Sequence, residues 1–318
     1  MSATLTRAVG ASLDRVEGRE KVAGEAKYAY EYDVEGVAYA APVQSTIAKG
    51  EIRGVDASAA LAVDGVLAVL SCEHRLPLQP VEDGELALFQ SSRVRYCGEI
   101  VAAVVAESLE AAREAERLVR VDYSPKEHDV ALRADHPKLY KPRKVNPNYE
   151  TDTEQGDFDA AFAGAAVTVD ETYETPAVHN NPLEPHATLA AWDGDRLTLY
   201  DSTQGAQAVR ERVAKVFGLD VEDVRVISPH VGGGFGSKGS PRPHVILAAM
   251  AARVVGRPVK VAVTRQQMFA FTGYRTPTIQ RVRLGAGSDG RLAAIAHDVF
   301  EQSSTINEFA EQTALATR

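Results

Sequence analysis

The densest chemical signal in the sequence is a glycine-rich run, Gly232 to Gly239, with the order Gly-Gly-Gly-Phe-Gly-Ser-Lys-Gly. The flanking residues predict a strand before it and a helix after it. Glycines leave backbone N–H groups unshielded, and a helix that begins just beyond adds the positive end of its dipole. The run therefore predicts a site for an anionic or oxo-bearing ligand.

Two nucleotide-binding motifs compete for the same run. The Walker A pattern fails, because its second glycine would fall on Ser237 and its Ser/Thr on Gly239. The dinucleotide fingerprint G-x-G-x-x-G is met by Gly234, Gly236 and Gly239. Against it, residues 228–231 separate the strand from the glycines, the next strand ends without an acidic residue for a ribose, and an antiparallel hairpin pattern follows. An NAD(P)-binding dehydrogenase stays open as an alternative, as does a glycine turn that only permits close packing.

The segment from His179 to His186 is a second candidate, since it offers two imidazoles and the carboxylate of Glu184. Zinc sites on helices use His at i and i+4, and Pro182 and Pro185 exclude a helix here. We therefore predict no metal ligation by these side chains. Histidine or glutamate in a proline-rich loop is more often an anchor that hydrogen-bonds the loop in place.

The cysteines and the charge limit the class of protein. Cys72 and Cys97 are the only cysteines, too few for a disulfide framework or for an iron–sulfur cluster with four thiolates; Cys97 is expected to be a small buried residue. The formal net charge of −9 disfavours a nucleic-acid partner, which needs a basic face. No 18-residue apolar window or signal peptide is evident, which predicts a cytoplasmic chain without a membrane span.

The 318 residues suggest about two domains. Residues 133–157 are rich in charge and proline, including Pro137, Pro142 and Pro147, and are predicted to be a linker. The last predicted strand ends near 301 and a polar tail follows, so we expect the chain to end in mid-fold. Hydrophobic periodicity predicts strands over 66–70, 100–105, 224–227 and 259–263, hairpins over 187–201 and 279–300, and helices over 108–119, 206–217 and 243–255.

Taken in order, several motifs resemble the molybdenum cofactor-binding subunit of the xanthine dehydrogenase/aldehyde oxidase family, and most of all the bacterial periplasmic-type aldehyde oxidoreductases. The sequence at 14–28 resembles the family's entry motif, and 94–112 resembles part of its α/β hammerhead domain. Leu-Glu-Pro-His at 183–186, Ser-Thr-Gln at 202–204 and the glycine run at 232–238 follow in the order found in the first half of the cofactor domain.

This resemblance implies an α+β fold with an α/β hammerhead domain over 1–132, a linker over 133–157, and the N-terminal portion of a mixed α/β molybdopterin-binding domain over 158–318. It implies that the metal is held by the dithiolene of the cofactor, expected in its cytosine dinucleotide form, and not by side chains. By position, Gln204 would hydrogen-bond an oxygen ligand of molybdenum, and Phe235 and the N–H of Gly236 would face the apical oxo group. The candidate catalytic residues are thus Gln204, Phe235 and Gly236, and Gly233 and Gly234 join them as cofactor-binding residues.

The resemblance also implies a reaction, hydroxylation at carbon with water as the oxygen source. Purine-oxidising members carry a glutamate directly after the lysine of the glycine loop, where this chain has Gly239, so oxidation of an aldehyde to a carboxylic acid is the expected activity. The family's later cofactor loop and catalytic glutamate have no counterpart before Arg318. We therefore expect a further chain that supplies the missing C-terminal part of the domain, and iron–sulfur and FAD subunits that carry the electrons.

Two other possibilities follow from the same features. A chain with half of a cofactor site could be a non-catalytic remnant or an assembly partner of such an enzyme. The compartment is also open to a second interpretation, since members of the most similar group can be exported to the periplasm by a signal on a partner subunit.

Overall fold

The computed structural model describes residues 10–82, 84–145 and 149–311. Helices and strands are mixed along the chain, which confirms the α+β class. The helices are α1 (Gly18–Ala23), α2 (Ser58–Leu61), α3 (Leu109–Glu116), α4 (Phe158–Ala163), α5 (Ala206–Phe217), α6 (Pro243–Val255) and α7 (Arg265–Phe271), with short 3-10 turns at Ala29–Glu31 and Val221–Asp223.

The strands are short before residue 160 and longer after it. They are β1 (Ala38–Gln44), β2 (Gly50–Asp56), β3 (Val66–Ser71), β4 (Arg93–Val94), β5 (Ile100–Ala106), β6 (Arg120–Pro125), β7 (Lys144–Val145), β8 (Tyr149–Glu150), β9 (Val167–Thr175), β10 (Val178–His179), β11 (Ala187–Asp193), β12 (Arg196–Asp201), β13 (Val224–Ile227), β14 (Val259–Ala262), β15 (Tyr274–Arg275), β16 (Thr278–Ala286) and β17 (Leu292–Glu301). None of the helices in the described ranges is long and apolar enough to cross a membrane.

One mixed sheet of seven strands organises the molecule, in the order β13-β12-β11-β14-β1-β5-β3. Strand β1 pairs in parallel with β14, with Ala38 opposite Val259, and antiparallel with β5. The sheet therefore contains strands from both sides of the predicted linker and is continuous in hydrogen bonding across them. The division at 132 and 158 stays a prediction.

The core lies on the two faces of this sheet. The apolar helix α6 covers one face, where Leu247 and Met250 are fully buried. On the other face, α2 and α3 pack against β1, β3 and β5. Strand β5 is covered on both faces: Ala103 and Val105 belong to the cluster around α6, and Val104 to the cluster on the opposite face. A strand buried on both sides needs a continuous apolar sequence, which β5 has.

A second sheet of three strands, β17-β16-β9, lies apart from this core, and α4 packs on it. Every residue of β9 is exposed. The remaining described strands form the small sheet β4-β2-β6 and the pairs β10-β15 and β7-β8. The pair β7-β8 lies within the predicted linker, and Pro147 of that linker lies outside the described residues, as do residues 312–318 of the polar tail.

The helices and hairpins predicted from periodicity are confirmed to within a few residues at their ends. The hairpin β11-β12 and the helix over 243–255 match their predicted positions, and Ser108 caps α3 by accepting a hydrogen bond from the N–H of Ala111. The expectation that Cys97 is buried is wrong: its side chain is exposed, with Sγ 3.8 Å from the carbonyl oxygen of Ser45. The residues after it fold inward instead, since Gly98 is buried against Ala270.

Candidate functional site

Three loops meet at one edge of the seven-stranded sheet. Strands β12 and β13 are parallel neighbours, so the loops that follow Asp201 and Ile227 leave the sheet at the same edge. Strand β11 runs antiparallel to β12 with Thr188 opposite Asp201, which brings the segment before β11 to that edge as well. The topology thus places the motifs at 183–186, 202–204 and 232–239 side by side, as ligand sites at the carboxyl ends of parallel strands often are.

The loop from Gly232 to Gly239, called the glycine loop below, packs tightly against Gln204. An ideal Cβ on Gly234 would lie 2.2 Å from Gln204 Oε1, so only glycine allows this approach. Two residues on, the N–H of Gly236 donates to the same Oε1 over 3.2 Å. Because that bond occupies the carbonyl end of the amide, the Nε2 end of Gln204 is left as a donor at an exposed position.

Phe235 lies at the crest of the loop in a conformation that a phenylalanine rarely adopts. Its φ is +55°, in the left-handed region, and its side chain is 66% exposed. An exposed large ring on a strained backbone gains little from burial, and such strain tends to persist at functional sites. The ring lies beside Gly233, where an ideal Cβ would be 3.3 Å from Cε2.

Under the crest the loop rests on buried polar side chains. Lys238 Nζ donates to Glu184 Oε2 over 2.8 Å, and the Lys238 side chain is completely buried. His186 Nε2 lies 3.3 Å from the carbonyl oxygen of Ser237. His244 lies edge-on to His186, with 5.5 Å between the ring centroids. The loop thus has an exposed crest, formed by Phe235 and Gly236 beside the amide of Gln204. Its underside is buried and consists of Glu184, His186, Lys238 and His244.

Burial determines the protonation of the histidines under the loop. It lowers the pKa of His186 to about 3, with a further contribution from the charge of Lys238, and it lowers the pKa of His244 well below the usual range. Burial also raises the pKa of Asp201 to about 7. Both histidines are therefore neutral at neutral pH, and burial lowers the pKa of Lys238, an effect that the neighbouring Glu184 opposes.

The predicted loop anchors are confirmed, and one functional residue was missed. Glu184 and His186 both hydrogen-bond the glycine loop, as expected for that proline-containing segment. The missed residue is Lys238, whose burial could not be predicted because no sequence pattern distinguishes a buried lysine from an exposed one. The N–H of Gly236, predicted to face an oxo group, donates to Gln204 here; its role toward a cofactor stays a prediction.

The residues at the crest suit a group that carries oxo or anionic oxygen. No described residue accepts a hydrogen bond from the backbone N–H groups of Gly233, Gly234 or Phe235, and the amide nitrogen of Gln204 adds a side-chain donor. In the described part of the chain, no group of three or more His, Cys, Asp or Glu is placed to hold a metal ion. The dinucleotide alternative fits poorly, because β13 is an edge strand and the loop ends several residues before α6 begins.

The glycine loop and Gln204 together offer hydrogen-bond donors that suit an oxygen-bearing ligand at the edge of the mixed sheet. Residues 139–317 match the molybdopterin cofactor-binding domain, and residues 23–127 match the aldehyde oxidase and xanthine dehydrogenase a/b hammerhead domain. The chain therefore belongs to the aldehyde oxidase/xanthine dehydrogenase family, and it corresponds to part of the molybdenum-binding subunit. The family predicted from the ordered motifs is confirmed.

Individual relatives agree with this placement. The chain is 39% identical over 294 residues to the aldehyde oxidoreductase molybdenum-binding subunit PaoC of Escherichia coli, a match that includes 92% of this chain and 40% of that protein. It is 31% identical over 304 residues to the nicotinate dehydrogenase large molybdopterin subunit of Eubacterium barkeri, with 92% and 70% covered. The chain thus spans about 40% of the length of the first of these relatives.

Solved structures confirm the hammerhead and molybdopterin-binding fold. CO dehydrogenase from Oligotropha carboxidovorans superposes with a TM-score of 0.75 at 29% identity, covering 91% of this chain and 39% of that one. Quinoline 2-oxidoreductase from Pseudomonas putida 86 gives a TM-score of 0.77 at 25% identity, again covering 91% and 39%.

Proposed function

We propose that this chain contributes half of the molybdenum cofactor site of an enzyme that oxidises aldehydes to carboxylic acids with water as the oxygen source. The observation that carries the proposal is the Gln204 amide, whose carbonyl oxygen is held by the N–H of Gly236 so that its nitrogen is directed away as a donor. A fixed donor of this kind stabilises charge that develops on an oxygen, because it needs no reorganisation at the moment of reaction.

The substrate class rests on the residue after the loop lysine. Gly239 is exposed, and an ideal Cβ there would meet nothing closer than the carbonyl oxygen of Gly236 at 3.6 Å. Space for a larger residue is present, yet glycine at 239 offers no carboxylate there to hydrogen-bond a purine. A site built to bind a purine would lose that orientation, whereas an aldehyde does not need it. The similarity to PaoC, described as an aldehyde oxidoreductase subunit, supports the same class.

The bound cofactor would supply the oxygen-transfer and two-electron chemistry. This chain's residues would bind and orient it: Gln204 and the N–H groups of the glycine loop as donors, and Phe235 as an apolar cover that excludes water from the crest. We propose the cytosine dinucleotide form of molybdopterin. We also propose that further polypeptide supplies the rest of the site and that iron–sulfur and FAD subunits take the electrons away.

The test is to purify the chain with the products of its neighbouring genes and to measure molybdenum and aldehyde oxidation. Gln204→Ala should keep its molybdenum and lose about 10²- to 10³-fold in kcat, the loss typical of one removed oxyanion donor. Gln207→Ala is the matched control, because Gln207 is exposed on α5 and its amide bonds only Glu211. Absence of molybdenum with every combination of partners would contradict the proposal and favour a non-catalytic assembly partner.

A further inference from the structure

A single carboxylate oxygen ties together the two ends of the glycine loop. Glu184 Oε2 accepts a hydrogen bond from the backbone N–H of Gly232 over 2.7 Å and another from Lys238 Nζ over 2.8 Å. Gly232 begins the loop and Lys238 is its last residue but one. Lys238 Nζ also donates to the backbone carbonyl of Glu184 over 2.9 Å, so the lysine is bound to this one residue twice.

Close approach is built into both partners. An ideal Cβ on Gly232 would lie 2.4 Å from Glu184 Cβ, so any side chain at 232 would push the carboxylate away. Pro182 and Pro185 on either side of Glu184 restrict the backbone from which it reaches the loop. The side chains of Glu184 and Lys238 are 12% and 0% exposed, so water does not compete for their contact.

The same lysine connects to the proposed cofactor donors through its backbone. Its carbonyl oxygen accepts from the N–H of Gln204 over 2.8 Å and from Thr203 Oγ1 over 3.0 Å. The Gln204 side chain in turn accepts from the N–H of Gly236. A chain of contacts therefore connects Glu184 through Lys238 and Gln204 to Gly236 in the loop, and Gly232 of the same loop returns to Glu184.

Stability alone does not account for such a pair. Taking a lysine and a glutamate out of water is costly, and apolar side chains of similar volume often give equal or greater stability. A hydrogen-bonded charged pair, however, fixes the distance and direction between its two side chains. Packing between apolar side chains fixes them less strictly.

We propose that Glu184 and Lys238 are positioning residues that set the location of the Gln204 amide, and of the Gly236 N–H that holds it, for the oxygen-bearing ligand. This inference rests on the proposed function for its purpose, but the positioning itself is a property of the protein without cofactor. Neither residue touches the reacting atoms; both act through Gln204 and the loop.

The test replaces the pair by apolar residues of similar size in the double variant Glu184→Leu/Lys238→Met. Hydrogen exchange, followed by mass spectrometry on peptides covering 228–241, is measured on protein from cells grown without molybdate. We expect an unchanged melting temperature and faster exchange at Gly232 and Gly236. In molybdenum-loaded enzyme, kcat should fall about 10- to 100-fold with KM unchanged, because a displaced donor at Gln204 costs less than a removed one.

A matched control is the double variant Arg95→Met/Glu99→Leu, which removes another poorly exposed ion pair, between β4 and β5. It should leave exchange in the loop as in the wild type. If the double variant at Glu184 and Lys238 does not fold, Glu184→Gln serves instead, because its amide oxygen can still accept from Gly232 while the charge is lost; protection at Gly236 should then fall partway.

Wild-type exchange of the loop in both variants would overturn the positioning role. Failure of the enzyme proposal has a different signature, because a protein that never contains molybdenum would still show the expected change in hydrogen exchange.

Discussion

Strand β5 of the seven-stranded sheet is buried at all seven of its positions, whereas strand β9 of the three-stranded sheet is exposed at all nine. Both strands are paired, but β5 lies between β1 and β3 with a register shift near Ile100, whereas β9 is an edge strand that pairs with β16 alone. They also differ in what covers their faces: helices pack on both sides of β5, whereas the side chains of β9 are exposed. The loops of the large sheet therefore start from a packed core, and Gln204 and Phe235 are both on its loops.

The largest expected effect tests whether stability is concentrated in the large sheet. Leu247→Ala removes a fully buried side chain from α6 and should lower the free energy of unfolding by about 2–5 kcal/mol, since a cavity remains. Leu292→Ala makes the same change in β17, where the side chain is 65% exposed, and should stay within about 0.5 kcal/mol. Trp192, whose Nε1 donates to the carbonyl oxygen of Ala249 in α6, reports unfolding by its fluorescence. Equal losses in the two variants would contradict the comparison.

A second prediction concerns the histidine beneath the glycine loop. Because the folded pKa of His186 is about 3 and an unfolded histidine titrates near 6.5, the unfolded state binds more protons between these values. The folded protein thus loses stability as pH falls through that window. His186→Gln removes the effect, so its stability relative to wild type should rise by about 1.4 kcal/mol per pH unit on acidification. Urea unfolding in steps from about pH 6.5 to 4 measures this; a constant difference between the two proteins would count against a neutral buried His186.

For Asp201 we expect the opposite dependence of stability on pH. Its folded pKa is about 7 and an unfolded aspartate titrates near 3.9, so here the folded state binds more protons, and stability falls as pH rises between these values. Asp201→Asn keeps an acceptor oxygen for the hydroxyl of Thr188. Its stability relative to wild type should therefore increase toward neutral pH, in the same urea experiment. A relative gain on acidification would show that Asp201 is ionised in the fold.

The smallest expected effect compares two helix caps. Ser108→Ala removes the cap of α3, which packs on the large sheet through Ala112 and Ala115, and should cost about 1 kcal/mol of global stability. Asp157→Ala removes the equivalent cap of α4, which has no buried residue among those described. Its loss should appear as faster hydrogen exchange in α4, with little change in global unfolding. A larger global loss for Asp157→Ala would reverse the ranking of the two regions.

Elements with a strong local pattern could be predicted from the sequence. The hairpin β11-β12 has alternating residues around Asp-Gly-Asp, and α6 is apolar throughout with Gly256 after it. Strand β1 was not predicted, because alanines and Pro42 are unusual in a central strand. The structure accommodates Pro42 because β14 pairs only with Ala38–Ala40, so the edge beside the proline is free of the ladder.

The candidate site also has parts that could be predicted from the sequence and parts that could not. The positions of Gln204 and Phe235 could be inferred because the family motif is local in sequence. The contact of Lys238 with Glu184 could not, since it joins residues 54 positions apart and depends on how β11, β12 and β13 align. Helix α7 shows a missed local signal: Thr264 and Gln267 form a capping box that the sequence contains.

The parallel pairing of β1 with β14 has a consequence for the order of events during synthesis. Ala38 can pair with Val259 only after Val259 has been synthesised, 221 residues later, so the middle of the large sheet forms late. At about 5–20 residues per second, this delay is roughly 10–40 s. Such distant pairing makes folding slow, and the part of the sheet that carries the loops at 202–204 and 232–239 joins β1, β5 and β3 only through β14. We therefore expect the cofactor proposed for this edge to be loaded late, after β14 has joined the two parts of the sheet.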